Sequence, residues 1–161
     1  MKFTKALTFS YDDGVTQDKR LIEILNKYGL KATFNINSQL LGKPGSLMIE
    51  GVEVDHTKIH PKEVAEVYRG HEVASHTLNH WFLPRCTREE VIRQVEEDRV
   101  ALSRLVGYEV VGLAYPHAGE NNNDEVAQII RENTGIKYAR TNTSTYNFDV
   151  QSNLYRFNPT V

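Results

Sequence analysis

The sequence predicts an α/β fold, either a parallel sheet or an incomplete (β/α) barrel. Two observations predict it. Short β-forming runs alternate with helical runs along the chain, the pattern of βαβ units. Polar clusters at Asp12-Asp13, at His76 with His80, and over Pro116 to Gly119 each follow the end of an expected strand. In a (β/α) barrel those strand ends share one face, where active sites gather. At 161 residues the chain is short of the roughly 250 of an eightfold barrel.

An apolar, β-forming run from Ala6 to Phe9 leads into two adjacent carboxylates, and a strand is expected whose C-terminal end presents Asp12 and Asp13, with Gly14 allowing a tight exit. Asp18 to Tyr28 reads as a helix, with Leu21, Ile22, Leu25 and Tyr28 on one face and Gly29 as its stop. Lys31 to Ile36 is β-prone. Glycines and Pro44 break the segment from Gly42 to His60, leaving a small hairpin or excursion near Ile49 to Val54. Pro61 to Tyr68 reads as a short helix and His71 to Ser75 as a strand. Thr87-Arg88-Glu89-Glu90 is a capping box opening a helix to about Leu105, with Val91, Val95, Leu102 and Leu105 inward. Val110 to Tyr115 is the next strand, Asp124 to Asn133 a helix, Ile136 to Arg140 a strand, and Leu154 to Phe157 a sixth.

Composition narrows the class. Hydrophobic residues are 40% and charged residues 25%, as in soluble globular proteins, and one domain over residues 1–161 is expected. A formal charge of -2 argues against a nucleic-acid surface or an anionic membrane. Cys86 is the one cysteine, so no internal disulfide forms, which fits a reducing compartment. No apolar run approaches the roughly 20 residues of a membrane span. Met1 to Lys5 leads straight into the first strand, so a cytoplasmic location is expected for the chain as written.

Adjacent carboxylates repel unless a cation or proton sits nearby, so Asp12-Asp13 reads as a metal or proton site, or else as a turn and cap. His76 and His80 are four residues apart, which on a helical turn puts both imidazoles on one side. The pair lacks the glutamate of the metalloprotease helix. With a strand-end carboxylate it makes a set that leaves positions for water and substrate.

Three stretches, Thr8-Phe9-Ser10-Tyr11-Asp12-Asp13-Gly14, His76-Thr77-Leu78-Asn79-His80 and Tyr115-Pro116-His117-Ala118-Gly119, stand in the order and spacing of a known family. The chain resembles the polysaccharide deacetylases, the NodB-homology group or carbohydrate esterase family 4, over nearly its whole length. The resemblance implies an irregular (β/α) barrel with fewer strands than the eightfold form. It implies Asp13, His76 and His80 as metal ligands, Asp12 as general base, and metal-dependent removal of an N- or O-acetyl group from a carbohydrate. Zinc is the first choice for such ligands, with cobalt, nickel or manganese acceptable.

Three departures shape the expectations. Ala114 stands where the family has an arginine that orients the base; Arg140, ending the next strand, is expected to reach Asp12 instead, or else to be a solvated charge. His117 replaces a tyrosine and is read as a loop residue touching the site through its backbone, or as a proton donor. The family's last motif, Leu-x-His, which supplies an acid, is absent, so the chain is either cut short or lacks the usual acid. Missing strands leave a sheet edge open, so a homodimer is expected. Trp81, Tyr115 and Pro116 are candidate carbohydrate contacts, against packing as the commoner use of aromatics. His71 is expected to be structural; His56 and His60 line a groove or a solvated loop. Two other readings stay open: a non-catalytic, metal-containing carbohydrate-binding domain, and a metal-dependent amidase on a non-sugar substrate.

Overall fold

The structure is a computed structural model and describes residues 6–161. In chain order its strands and α-helices are β1 (Phe9–Asp12), α1 (Asp18–Lys27), β2 (Ala32–Ile36), β3 (Ser46–Ile49), β4 (Val52–Asp55), α2 (Val64–Val67), β5 (Glu72–Ser75), α3 (Arg88–Ile92), α4 (Asp98–Val106), β6 (Gly112–Ala114), α5 (Asp124–Asn133) and β7 (Tyr138–Arg140). Five strands pair in parallel in the order β1-β2-β5-β6-β7, while β3 and β4 form a separate antiparallel hairpin. Parallel pairing sends every C-terminal strand end to one rim. The sheet is curled: Arg140 at the end of β7 donates from Nε to Ser10 Oγ of β1 at 3.0 Å, linking the first and last strands of the order. The fold is an incomplete, half-barrel α/β fold.

Two apolar clusters hold the sheet. The first joins Phe34, Ile36 and Val73 to Ile22 and Leu25 of α1, Val64, and Leu102 of α4. Phe34 is fully buried and sits among Tyr11, Tyr68 and His71, with ring centroids 5.7, 5.0 and 5.6 Å away. The second packs Leu83, Val91, Val95, Ile129 and Ile130 against Leu113 and Ala139. His71 is structural as expected: Nδ1 accepts from the Ala32 amide and Nε2 pairs with Asn26 Oδ1.

Several boundaries differ from expectation. The first strand ends at Asp12 as expected but starts only at Phe9, because β2 offers its first partner, Ala32, to Phe9, and Leu7 is left exposed. Tyr28 is a C-cap residue with its side chain in solvent, so it does not join the α1 face. Residues 61–67 open as a 3-10 turn before α2. The capping box is present, but the long helix it opens is interrupted by a π turn at Arg93–Glu97. The expected sixth strand is a 3-10 turn at Leu154–Arg156 followed by a single parallel bridge from Phe157 to Arg140. That bridge still occupies the β7 edge: the Phe157 amide donates to Ala139 and the Thr141 amide to Phe157, at 2.9 and 2.8 Å.

Phe34 lies at the centre of the first cluster, and its truncation leaves a cavity between α1 and the sheet. Phe34→Ala is expected to cost about 3–5 kcal/mol, read as a lower urea midpoint. A loss under about 1 kcal/mol would mean this cluster does not hold the sheet.

Candidate metal centre

Asp12 ends β1 and Asp13 follows it in the left-handed region, φ 82°. Along an extended strand neighbouring side chains point to opposite faces; the turn at Asp13 breaks that alternation at the rim. The Asp13 amide is held by the Asn35 carbonyl at 2.9 Å. Gly14, φ 61°, is required here, since an added Cβ would lie 2.7 Å from Ile36 Cγ2.

The His76–His80 loop follows β5 as a turn and not the helical turn that the spacing suggested. Thr77 and His80 both take φ 64°, and the two imidazole centroids lie 4.9 Å apart. A buried polar shell holds this loop. Asn37 Nδ2 donates to the carbonyls of His76 and Thr77. Fully buried Asp98 accepts from the Ser38 amide and Ser75 Oγ at 2.7 and 2.6 Å. The π turn gives Leu78 a carbonyl to bind: the Leu78 amide donates to Gln94 O at 2.9 Å. A π turn is a frequent mark of a functional segment.

One ligand atom each from Asp13, His76 and His80 lies within 4.8 Å of the others. Donors about 2.1 Å from a single tetrahedral ion are about 3.4 Å apart, so small side-chain movements suffice to fit one. The chemistry of the set also fits. His76 Nδ1 donates to the Ala114 carbonyl at 2.8 Å, leaving Nε2 as the lone pair. Burial lowers the pKa of His76, against the pull of Asp12 and Asp13. Burial, then neighbouring His76, brings His80 down to about 4. Both rings are therefore neutral at pH 7, as ligands must be. Burial raises the Asp13 pKa, but Lys58 and, at the low pH where they carry a proton, the imidazoles of His76, His80 and His56 outweigh it, so the carboxyl is held below its usual range.

Arg140 donates from Nη2 to Asp12 Oδ1, and Asn35 Nδ2 donates to the same oxygen at 2.8 Å. The guanidinium thus points into the site and not to solvent. The side chain of His117, φ 68°, is itself at the site: Nε2 donates to the His80 carbonyl at 2.8 Å and the ring lies 4.6 Å from that of His80. Its contact is made by the ring, while its carbonyl accepts from Asn121 and Asn142.

The expected carbohydrate contacts fare differently. Tyr115 is buried, its hydroxyl donating to the Tyr155 carbonyl at 2.8 Å, so it is a core residue. Pro116 is buried too. Trp81 is half-buried, with the Arg93 guanidinium 5.5 Å from its ring centroid. Sequence reasoning missed Asn35, Asn37, Asp98 and Lys58. A polar residue within a β-prone run, such as Asn35, was a usable signal; Asp98 was hidden in a helix where a charge is ordinary.

Burial raises Asp98 to about 6, against hydrogen bonds from Ser38 and Ser75. A raised acid holds its proton more tightly when folded, so its contribution is present at low pH and is lost as pH rises through about 6. Thermal melts of the wild type and Asp98→Asn at pH 7.5 and 5 isolate this term, since the other groups cancel. The difference is expected to shift by about 1–3 kcal/mol toward the wild type at pH 5; a pH-independent difference would refute it.

Among curated proteins none matches this chain. The deacetylase PplD of Streptococcus pyogenes, solved in complex with acetate, aligns over 98% of this chain and 64% of its own, at 20% identity and TM-score 0.75. A polysaccharide deacetylase of Bacillus cereus aligns over 93% and 45%, at 17% and 0.72. The BpsB deacetylase domain of Bordetella bronchiseptica aligns over 94% and 69%, at 16% and 0.72. The chain thus spans less than two thirds of the first two structures, and at these identities the likeness is one of fold. The family model for polysaccharide deacetylase matches residues 2–139, and the chain belongs to the polysaccharide deacetylase family.

Proposed function

We propose that this chain is a single-domain, metal-dependent hydrolase that removes acetyl groups from N- or O-acetylated carbohydrate. One observation carries the reading: donor atoms of Asp13, His76 and His80 gather within 4.8 Å at the rim, with Asp12 close enough to influence His76. Asp13, His76 and His80 would hold the metal, with zinc the best match to two imidazoles and a carboxylate. Such an ion polarises a carbonyl and makes water a stronger nucleophile at neutral pH.

The chain's own groups supply the rest. The Asp12 side chain is 37% exposed, so water and substrate reach it, and it is the base that takes the proton of the attacking water. Arg140 and Asn35 fix its Oδ1, leaving Oδ2 for that proton. Arg140 is thus the orienting group where Ala114 lacks a side chain for the task. Among the described residues no hydrogen bond engages His117 Nδ1; with Nε2–H given to the His80 carbonyl, Nδ1 carries a proton only in the imidazolium form, and in that form His117 is the donor to the leaving group. Trp81, half-buried and next to His80, offers an aromatic surface for a sugar ring. The acyl group is read as acetyl from the family and from the acetate bound to the Streptococcus pyogenes protein.

Acetate release from chitin oligomers, peptidoglycan fragments and acetylxylan, with and without chelator, tests the reading. Release is expected from at least one substrate and is expected to stop with chelator. Asp12→Asn should slow it about 10²–10⁴-fold with metal content unchanged; Asp13→Ala should lose both. Full activity in Asp12→Asn, or a metal-loaded protein that binds glycan but releases no acetate, would overturn it.

A further inference from the structure

We propose that Lys58 is a tethered cation that competes with a divalent ion for the Asp13 carboxylate, setting how loosely the site holds its metal. The inference rests on the metal reading above. Lys58 Nζ lies 3.3 Å from Asp13 Oδ1, the same oxygen that stands 3.8 Å from His80 Nε2. The ammonium also donates to His56 Nε2 at 3.0 Å. Its side chain is 9% exposed, so solvent screens it weakly.

The placement is built into the backbone. Thr57, Lys58 and Ile59 run antiparallel to Gly14, Val15 and Thr16, the residues directly after Asp13. The Thr16 amide donates to Thr57 O at 2.9 Å and the Ile59 amide to Gly14 O at 2.8 Å, bracketing residue 58. The Lys58 amide is bound to Lys43 O at 3.0 Å, and Ile59 is fully buried. The carbonyls and amides around Lys58 therefore fix where its side chain starts, beside Asp13. His56 and Lys58 both follow β4, the second strand of the hairpin, outside the three motif stretches of the sequence.

Two roles for such a residue differ in sign. A donor that merely orients a ligand carboxylate strengthens metal binding, and its loss weakens it. A cation sharing that carboxylate repels the incoming ion. Even at the dielectric of water, two unit charges 4 Å apart alter an equilibrium about fivefold, and a dication or a drier site raises this. Repulsion is the larger effect in this proposal, because the Asp13 oxygen nearest Lys58 is also the one that faces His80.

Cobalt binding to the wild type, Lys58→Met and Lys58→Arg at pH 7.5, by calorimetry and the visible cobalt spectrum, reads the sign directly. Lys58→Met is expected to bind at least about tenfold tighter, and Lys58→Arg within about threefold of the wild type. Lys58→Gln gives the same readout if the methionine variant does not fold. Weaker or unchanged binding on loss of the charge would overturn the proposal while leaving the metal reading intact. No cobalt uptake by any form would end both.

Discussion

One guanidinium ties the two ends of this sheet together. A parallel sheet of five strands does not close, and nothing in its ladder requires β1 to approach β7. Arg140 makes that approach, binding Ser10 Oγ and Asp12 Oδ1 from the far end of the strand order. The contact is charge-assisted and only 16% of the arginine side chain is exposed, so it is stronger than a surface ion pair. It curls the rim and holds Asp12 at one stroke. The same curl places Asp13 on the rim shared with the loop that follows β5, so the proposed base and the proposed ligand set share one bond pattern.

The site is also where the backbone is most strained. Among the described residues six non-glycine positions have positive φ, and four of them are Asp13, Thr77, His80 and His117. Such conformations cost about 1–3 kcal/mol each. They persist because the surroundings leave no alternative. Asn37 and Gln94 hold the loop carbonyls and amides, Asp98 and Ser75 sit beneath it, and His117 binds the His80 carbonyl. The Asp98 carboxylate, in full burial, serves this packing and not solvent contact. Strain and a buried polar shell together produce imidazoles that are oriented before any ligand arrives.

Much of this was legible in the residues. Alternating elements gave the parallel sheet, and their strand-end placement put Asp12, Asp13, His76 and His80 on one rim. The proximity of Arg140 to Asp12 followed from two facts, the missing arginine at Ala114 and the adjacent strand end. What escaped the sequence was conformational or long-range. Positive φ at His80 has no composition signature, and a π turn differs from an α turn by one residue of register. Tyr115 stood next to the motif loop, yet it directly follows β6 and its ring is buried in the second apolar cluster. Lys58 lay in a segment with no clear periodicity, and only the pairing of residues 57–59 with 14–16 brings it to the carboxylate.

The most direct measurement is an anomalous difference map from crystals grown with cobalt, recorded at the cobalt edge. The expected result is one peak about 2.0–2.2 Å from a carboxylate oxygen of Asp13 and from Nε2 of His76 and a ring nitrogen of His80, with Asp12 beside it and bound to Arg140. A peak elsewhere, or crystals that take up cobalt while these three side chains stay apart, would contradict it.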